Sequence, residues 1–269
     1  MIRKPIVAGQ FYPADPIALK KLIVSFDTKK TTKPQKAISC ILPHAGYVYS
    51  GKVAAATLKS IEPAQTYIIL GPNHTGYGAP CSIVKYGAWS TPFGLINIDT
   101  DLASQLLNNS KFLEEDEQAH AYEHSIEVEL PLIQTILGPD FTFVPITLAT
   151  GTDLVYKDIS GAIAECVKKN GKKIMIIASS DMTHYEHQKD TTRKDEEAIK
   201  AILKLDEKLL LEKIEQFGIT MCGYIPAVIT IMASKLLGAR QAELIDYQTS
   251  GDISGDYSSV VGYAGIVMR

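Results

Sequence analysis

The 269-residue sequence has no surplus of positive charge: 27 Lys and Arg stand against 30 Asp and Glu, a formal net charge of -3. A chain that binds nucleic acid ordinarily shows a basic excess or a basic stripe, so no nucleic-acid partner is expected. Cysteine is scarce as well, with Cys40, Cys81, Cys166 and Cys222 the only four and none in a CxxC pair. That spacing supports neither a zinc nor a redox motif, and a reducing, cytoplasmic setting is the expectation. The opening MIRKPIVAGQFYPAD has an apolar run too short for a secretory signal. The longest uncharged stretch, Gln216 to Ser234, is broken by Gly218, Gly223 and Pro226, unlike a membrane span. Several catalytic signatures are also missing. Without GxGxxG or GxxxxGK[ST] there is no support for nucleotide binding, and without GxSxG there is no nucleophile elbow for a serine hydrolase.

What is present is an ordinary core-forming composition, 46% hydrophobic and 21% charged, read as one α/β domain over residues 1–269. Short apolar runs alternate with amphipathic segments, the pattern of a mostly parallel or mixed sheet flanked by helices. Strands are expected at Ala37–Leu42, Tyr67–Leu70, Cys81–Lys85, Phe141–Leu148, Lys173–Ala178 and Ser259–Met268. Helices are expected after Gly51, from Asp99, over His124–Leu137 and Asp153–Lys169, in two charged segments after Lys189, and last from Pro226. The polar stretch Thr28 to Lys36 reads as a surface loop.

Three apolar runs end in the same way. ISCIL leads to Pro43 and His44, YIIL to GPNH with His74, and IMIIASS to Asp181 and His184. Residues just past the carboxyl ends of parallel strands converge on one crevice, so these histidines meet if their strands are parallel neighbours. The loops PHAGYVYSG, with Tyr49, and GPNHTGYG, with Asn73, supply glycine, hydroxyl and amide groups for a pocket. Cys222, in MCGYIP, precedes the last helix, where the positive helix end is expected to lower a thiol pKa. His44, His74 and Cys222 together form a candidate metal site whose thiolate favours iron, copper or zinc over magnesium or calcium. His184 is then the candidate acid or base, with Asp181 as a ligand, an orienting group or the holder of its tautomer. A Cys222 nucleophile paired with a histidine is a weaker alternative, because it leaves the other histidines without a role.

In HAYEHSIEVELPLI the Glu of HExxH is absent, since Ala121 follows His120, and a zinc peptidase is excluded. His124 with Glu127 three residues on either lines the pocket or forms a capping pair. His187 reads as a surface residue.

VAGQFYP, PHAGYVYSG, GPNHTGYG, WSTPFG, EHSIEVELPLI, SSDMTHY and CGYIPA occur in order along nearly the whole chain, which on these motifs resembles the Memo family. The resemblance implies a fold similar to the catalytic subunit of class III extradiol dioxygenases, non-haem iron enzymes. It places metal ligation on His44, His74 and Cys222, with Asp181 and His184 in the same pocket, and associates the site with iron or copper. Cys222 stands where those dioxygenases carry a carboxylate, which favours redox or metal handling over ring cleavage. Two kinds of partner are implied by the same likeness: a phosphotyrosine-containing peptide or small molecule in the pocket, and a radical-SAM protein in a shared modification pathway.

Overall fold

A computed structural model of the chain describes residues 1–26 and 33–269. Of the polar stretch Thr28 to Lys36, residues 28–32 lie outside the described residues. Six strands form where the apolar runs place them: Ser39–Leu42, Thr66–Pro72, Cys81–Ile83, Thr142–Leu148, Ile174–Ser179 and Val260–Met268. Four of these run parallel at the centre of the sheet, in the spatial order 39–42, 174–179, 66–72, 142–148. Their residues are buried almost without interruption, as strands covered on both faces must be. Antiparallel neighbours close the two sides, Val260–Met268 beside 39–42 and Cys81–Ile83 beside 142–148, so the sheet is mixed. The fold is α/β, with helices flanking that sheet.

Two further strands, Ala242–Thr249 and His184–Glu186, also pair with Val260–Met268. Neither was expected: Ala242–Thr249, AELIDYQT, is a half-exposed strand of mixed polarity with no continuous apolar run, and His184–Glu186 is only three residues long. A small separate sheet joins Ile2–Arg3, Ala88–Thr91 and Gly94–Asn97.

The helices show why their boundaries fall where they do. Thr152 caps Asp153–Lys169 by accepting from Val155 N–H, with Asp153 in the first turn and Lys168 and Lys169 in the last, complementing the dipole at both ends. Asp99 and Asp206 cap Thr100–Asn109 and Glu207–Phe217 in the same way. The helix expected after Gly51 begins earlier, at Tyr47, and Gly51 lies inside it against Phe26. The helix expected over His124–Leu137 is confined to Glu129–Ile136; residues 125–128 form turns instead. The helix assigned to Pro226 starts at Tyr224, so Pro226 sits in its first turn rather than at its first position, and it is followed by a four-residue helix at Gly251–Ser254. As its apolar composition requires, Tyr224–Leu236 is deeply buried, packed on Asp153–Lys169 and on the central strands. No helix among the described residues is long and apolar enough to cross a membrane.

Asp195, on helix Gln188–Leu203, ties this framework to the segment that bears His184. It is fully buried and accepts from Thr183 N–H at 2.9 Å and Tyr247 O–H at 2.8 Å. Burial raises its carboxyl to about 6, against an ordinary 3.8. The folded state therefore keeps a proton that the unfolded chain has already lost, and stability falls as pH rises from about 4 to about 6. Asn fills the same space without a charge, and Tyr247 can turn its hydroxyl to accept from the amide. Asp195→Asn is expected to gain on the wild type by roughly 3 kcal/mol across that window. Urea unfolding on both sides of the window measures the change, and a constant difference would refute it.

Candidate metal centre

Leu42 pairs with Ser179, and Leu70 with Ala178, so the loops that leave these strands emerge side by side. One carries His44, the next His74, and the third Asp181 and His184. The turn before helix Tyr224–Leu236 delivers Cys222 to the same edge, anchored by Gly223 N–H donating to Ser180 Oγ at 2.9 Å. A cavity of about 760 Å³ opens over them, with His124, Tyr49, Tyr185 and Tyr263 also in its wall. That volume suits a small-molecule site.

His44 Nε2 lies 3.3 Å from Cys222 Sγ, and donor atoms of His44, His74 and Cys222 fall within 4.8 Å of one another. Metal bonds of roughly 2.0–2.3 Å put two donors of one tetrahedral ion about 3.5 Å apart, close to the His44–Cys222 spacing. His44 is buried, Cys222 partly so, and His74 faces the cavity mouth.

Each imidazole is held by its other nitrogen. His44 Nδ1 lies 2.8 Å from Ser179 Oγ, and His74 Nδ1 lies 3.0 Å from Glu123 Oε1. An ionised carboxylate only accepts, so His74 carries its neutral-form proton on Nδ1 and leaves Nε2 as a lone pair, the arrangement that orients ligating histidines. Burial acts against the Glu123 carboxylate, but hydrogen bonds from His74 and the Ser125 N–H hold it down to about 2. Burial likewise lowers His74, and Glu123 outweighs it, so the imidazole titrates above its ordinary value. His44 is pushed well below its ordinary value by burial and by His124 and His74 beside it, and is neutral.

Cys222 departs from the expectation of a lowered thiol pKa. Burial pushes the thiol up, and the charge of Asp181 adds to this, outweighing the hydrogen bonds from Gly223 N–H and its neighbours. In the metal-free protein the sulfur is an S–H group, and a cation that binds there must displace its proton.

Asp181 is buried, and its Oδ1 accepts from His44 N–H at 2.8 Å and Ala45 N–H at 3.3 Å. Burial raises its carboxyl to about 6. Its contact is thus with the backbone of the His44 loop; the tautomer of His184 is set instead by the Thr220 carbonyl, 3.0 Å from Nδ1. A carbonyl accepts only, so neutral His184 has its proton on Nδ1 and presents Nε2 as a base. Tyr185, beside it in the cavity wall, adopts φ +59°, a left-handed conformation uncommon for a bulky residue.

His124 lines the cavity, stacked on His74 with ring centroids 4.9 Å apart. Glu127 is not its partner: it accepts from Ile6 N–H, Val7 N–H, Tyr12 O–H and Arg3, clamping the N-terminal segment. Asn73 does not line the cavity either. Its Oδ1 accepts from Thr75 and Gly76 N–H groups, and its Nδ2 donates to the Tyr77 carbonyl, folding the loop that carries His74. His187 is exposed and caps Gln188–Leu203. Cys40, Cys81 and Cys166 are buried in strands and a helix, away from the cavity. Glu123, Glu129 and Ser179 are the supporting groups that the motifs did not single out. Glu123 also lies within 4.8 Å of donor atoms of both His74 and His124: it holds the His74 imidazole, and its Oε1 is 3.6 Å from His124 Nδ1.

A profile of the Memo-like protein family matches residues 3–267. The chain belongs to that family. Its similarity to other members extends end to end: it is 42% identical to a MEMO1 family protein of Methanopyrus kandleri, over 100% of this chain and 99% of that one. It is 43% identical to one of Methanosarcina barkeri over all of both chains, and 42% identical to one of Aquifex aeolicus over 99% and 98%. Among solved structures, an uncharacterized protein of Escherichia coli K12 shares the fold with a TM-score of 0.57 at 12% identity, covering 87% of this chain and 100% of that one.

Gly223 supports the candidate site of this chain from below. A Cβ there would meet the Ser179 carbonyl oxygen and would lie 2.5 Å from Ser180 Cβ, and neither obstacle can swing away. Gly223→Ala is expected to lose roughly 1–3 kcal/mol, at the upper end of that range because the clash is with backbone. Thermal unfolding measures it, and a melting temperature equal to wild type would show that the turn relaxes freely.

Proposed function

We propose that this chain binds one metal ion through His44, His74 and Cys222, iron or copper in a redox or oxygen-handling role, with zinc, which has no redox chemistry of its own, as a further candidate ion. The observation that carries the reading is the convergence of two imidazoles, each tied by Nδ1, and one sulfur within 4.8 Å at the floor of a cavity. The donor set fits: two neutral nitrogens and a thiol suit borderline to soft metals. Iron or copper, held by these three residues, would supply one-electron exchange.

The chain's own residues supply the rest. His184 Nε2 stands ready to take a proton from a molecule in the cavity, its ring held by Thr220. Asp181 fixes the His44 loop. Phe11, packed edge-on with its ring centroid 4.8 Å from that of His124, gives the cavity an apolar wall beside the imidazoles. With a sulfur where an extradiol dioxygenase has a carboxylate, the site is suited to metal or redox handling rather than ring cleavage.

Recognition of a phosphotyrosine-like anion is the less favoured reading. Among the described residues no Lys or Arg lines the cavity, whereas Asp181 and Asp256 do, and a phosphate site is normally built on guanidinium or ammonium groups. A Cys222 nucleophile is disfavoured too, because its thiol is pushed up rather than down. Iodoacetamide is expected to leave metal-free Cys222 unmodified under mildly acidic conditions, as read by mass spectrometry; rapid stoichiometric labelling would reverse that conclusion.

The deciding test is anaerobic purification followed by elemental analysis. About one equivalent of iron or copper supports the reading, zinc alone supports the donor set but refutes the redox role, and less than about a tenth after reconstitution with each metal refutes both.

A further inference from the structure

Ser179 Oγ touches three groups at once. It lies 2.8 Å from His44 Nδ1, 2.7 Å from the Ser125 carbonyl oxygen and 3.0 Å from Glu129 Oε1. A hydroxyl has one proton and two lone pairs, and the arrangement has one assignment that satisfies all three contacts. The Ser125 carbonyl can only accept, so the Ser179 proton goes to it; without that proton, a buried carbonyl is left unpaired. Ser179 Oγ must then accept from both other neighbours. His44 Nδ1 is consequently an N–H group, and the Glu129 carboxyl carries a proton.

Two independent contacts agree. On the far side of the ring, Cys222 Sγ lies 3.3 Å from His44 Nε2. A thiol donates to an imidazole nitrogen only if that nitrogen is unprotonated. At the other end, Glu129 is fully buried, its Oε2 has no hydrogen-bond partner, and no ion pair reaches it among the described residues. A buried anion in that position has nothing to offset its desolvation, whereas a neutral acid does not need it. Burial pushes this carboxyl well above the ordinary carboxylate range.

We propose that Ser179 and Glu129 are a positioning pair, with Glu129 a permanently neutral acid that donates to Ser179 and thereby locks His44 in the Nδ1–H tautomer, its Nε2 lone pair directed at Cys222. The usefulness of that lone pair to a metal rests on the reading given under Proposed function. The tautomer itself does not, and it is measured without any metal.

Long-range proton–nitrogen NMR of the metal-free protein reads the two nitrogens of His44 directly. Wild type is expected to show a protonated Nδ1 and an unprotonated Nε2 throughout the neutral range. Infrared spectra at neutral pH are expected to contain the carbonyl band of a protonated carboxylic acid that disappears in Glu129→Gln. Because the Gln amide donates to Ser179 just as the acid does, Glu129→Gln should leave the His44 nitrogens unchanged and keep zinc affinity within about threefold of wild type. Ser179→Ala should allow the Nε2–H form to appear and weaken zinc binding by roughly 10–100-fold, the usual effect of losing a group that orients a ligating histidine. Glu129→Leu frees the Ser179 hydroxyl to turn and should fall between these two. The proposal is overturned if wild-type His44 is the Nε2–H tautomer, if the acid band is missing, or if Glu129→Gln disturbs His44 as much as Glu129→Leu. If the tautomer is found but no metal binds to wild type, the metal reading fails and the positioning pair stands.

Discussion

Cys222→Ser is expected to empty the protein of metal while leaving its fold intact. Serine is close to isosteric with cysteine and can take over the contact with His44 Nε2, so the turn at Gly223 and the helix behind it need not move. What it cannot supply is an anionic sulfur. In the free protein burial holds the Cys222 thiol protonated, and the cation is the agent that removes the proton, as metals do when they bind cysteine. A serine hydroxyl yields its proton far less readily, so affinity for iron, copper or zinc should fall by more than the roughly 10–100-fold attributed to lost orienting partners. His44→Ala removes a buried donor outright and should do the same. His187→Ala, which deletes an exposed imidazole outside the cavity, should bind as wild type does. Elemental analysis and competition titration against a chelator read all three. Equal metal content in Cys222→Ser and wild type would remove sulfur from the proposed donor set.

The parts of this site that were legible in the sequence are those carried by strand ends. ISCIL, YIIL and IMIIASS announce buried parallel strands, and the sheet order sets 39–42, 174–179 and 66–72 next to one another, so the residues that follow each run meet without any information about side-chain contacts. What the sequence conceals is held in turns. EHSIEVELPLI has helical periodicity, yet its first half is bent into turns because Glu123 and Glu127 reach in opposite directions, one to His74 and Ser125, the other to Arg3, Ile6, Val7 and Tyr12. Those partners are separated from Glu127 by more than a hundred residues in sequence, and periodicity reports only local neighbours. The Cys222 thiol shows the same limit from the side of electrostatics. A cysteine beside a helix start suggests a stabilised thiolate, but the sign of the shift is decided by burial and by Asp181, neither of which local sequence displays. The strand Ala242–Thr249 went unseen for a third reason: it is half exposed along much of its length, and no apolar run marks it.

Glu123 is the residue on which orientation and stability of the site converge, and its removal should have the largest effect on folding. Its carboxylate is buried and accepts from His74 N–H at 2.6 Å, from His74 Nδ1 at 3.0 Å and from Ser125 N–H at 2.8 Å. Alanine leaves three donors without a partner. Each buried unsatisfied group costs about 1–3 kcal/mol, and with His74 able to reach solvent at the cavity mouth the total loss should be roughly 3–5 kcal/mol. Glu123→Gln keeps the shape but turns an N–H group toward one of those donors, so it too should be destabilised at neutral pH. Wild type and Glu123→Gln differ in what acid does to them. The wild-type carboxylate titrates near 2 in the folded protein against an ordinary 4.5, so the folded state gives up stability as pH falls from about 4.5 toward about 2 while the unfolded chain takes up the proton. That difference amounts to roughly 3 kcal/mol, and Gln, which does not titrate, has none of it to lose. The advantage of wild type over Glu123→Gln in urea unfolding should therefore shrink steadily as the pH is lowered through that window. If the advantage is the same at both ends, the carboxylate charge is not what holds His74, and the orientation of its ring must be sought in the Asn73 turn instead.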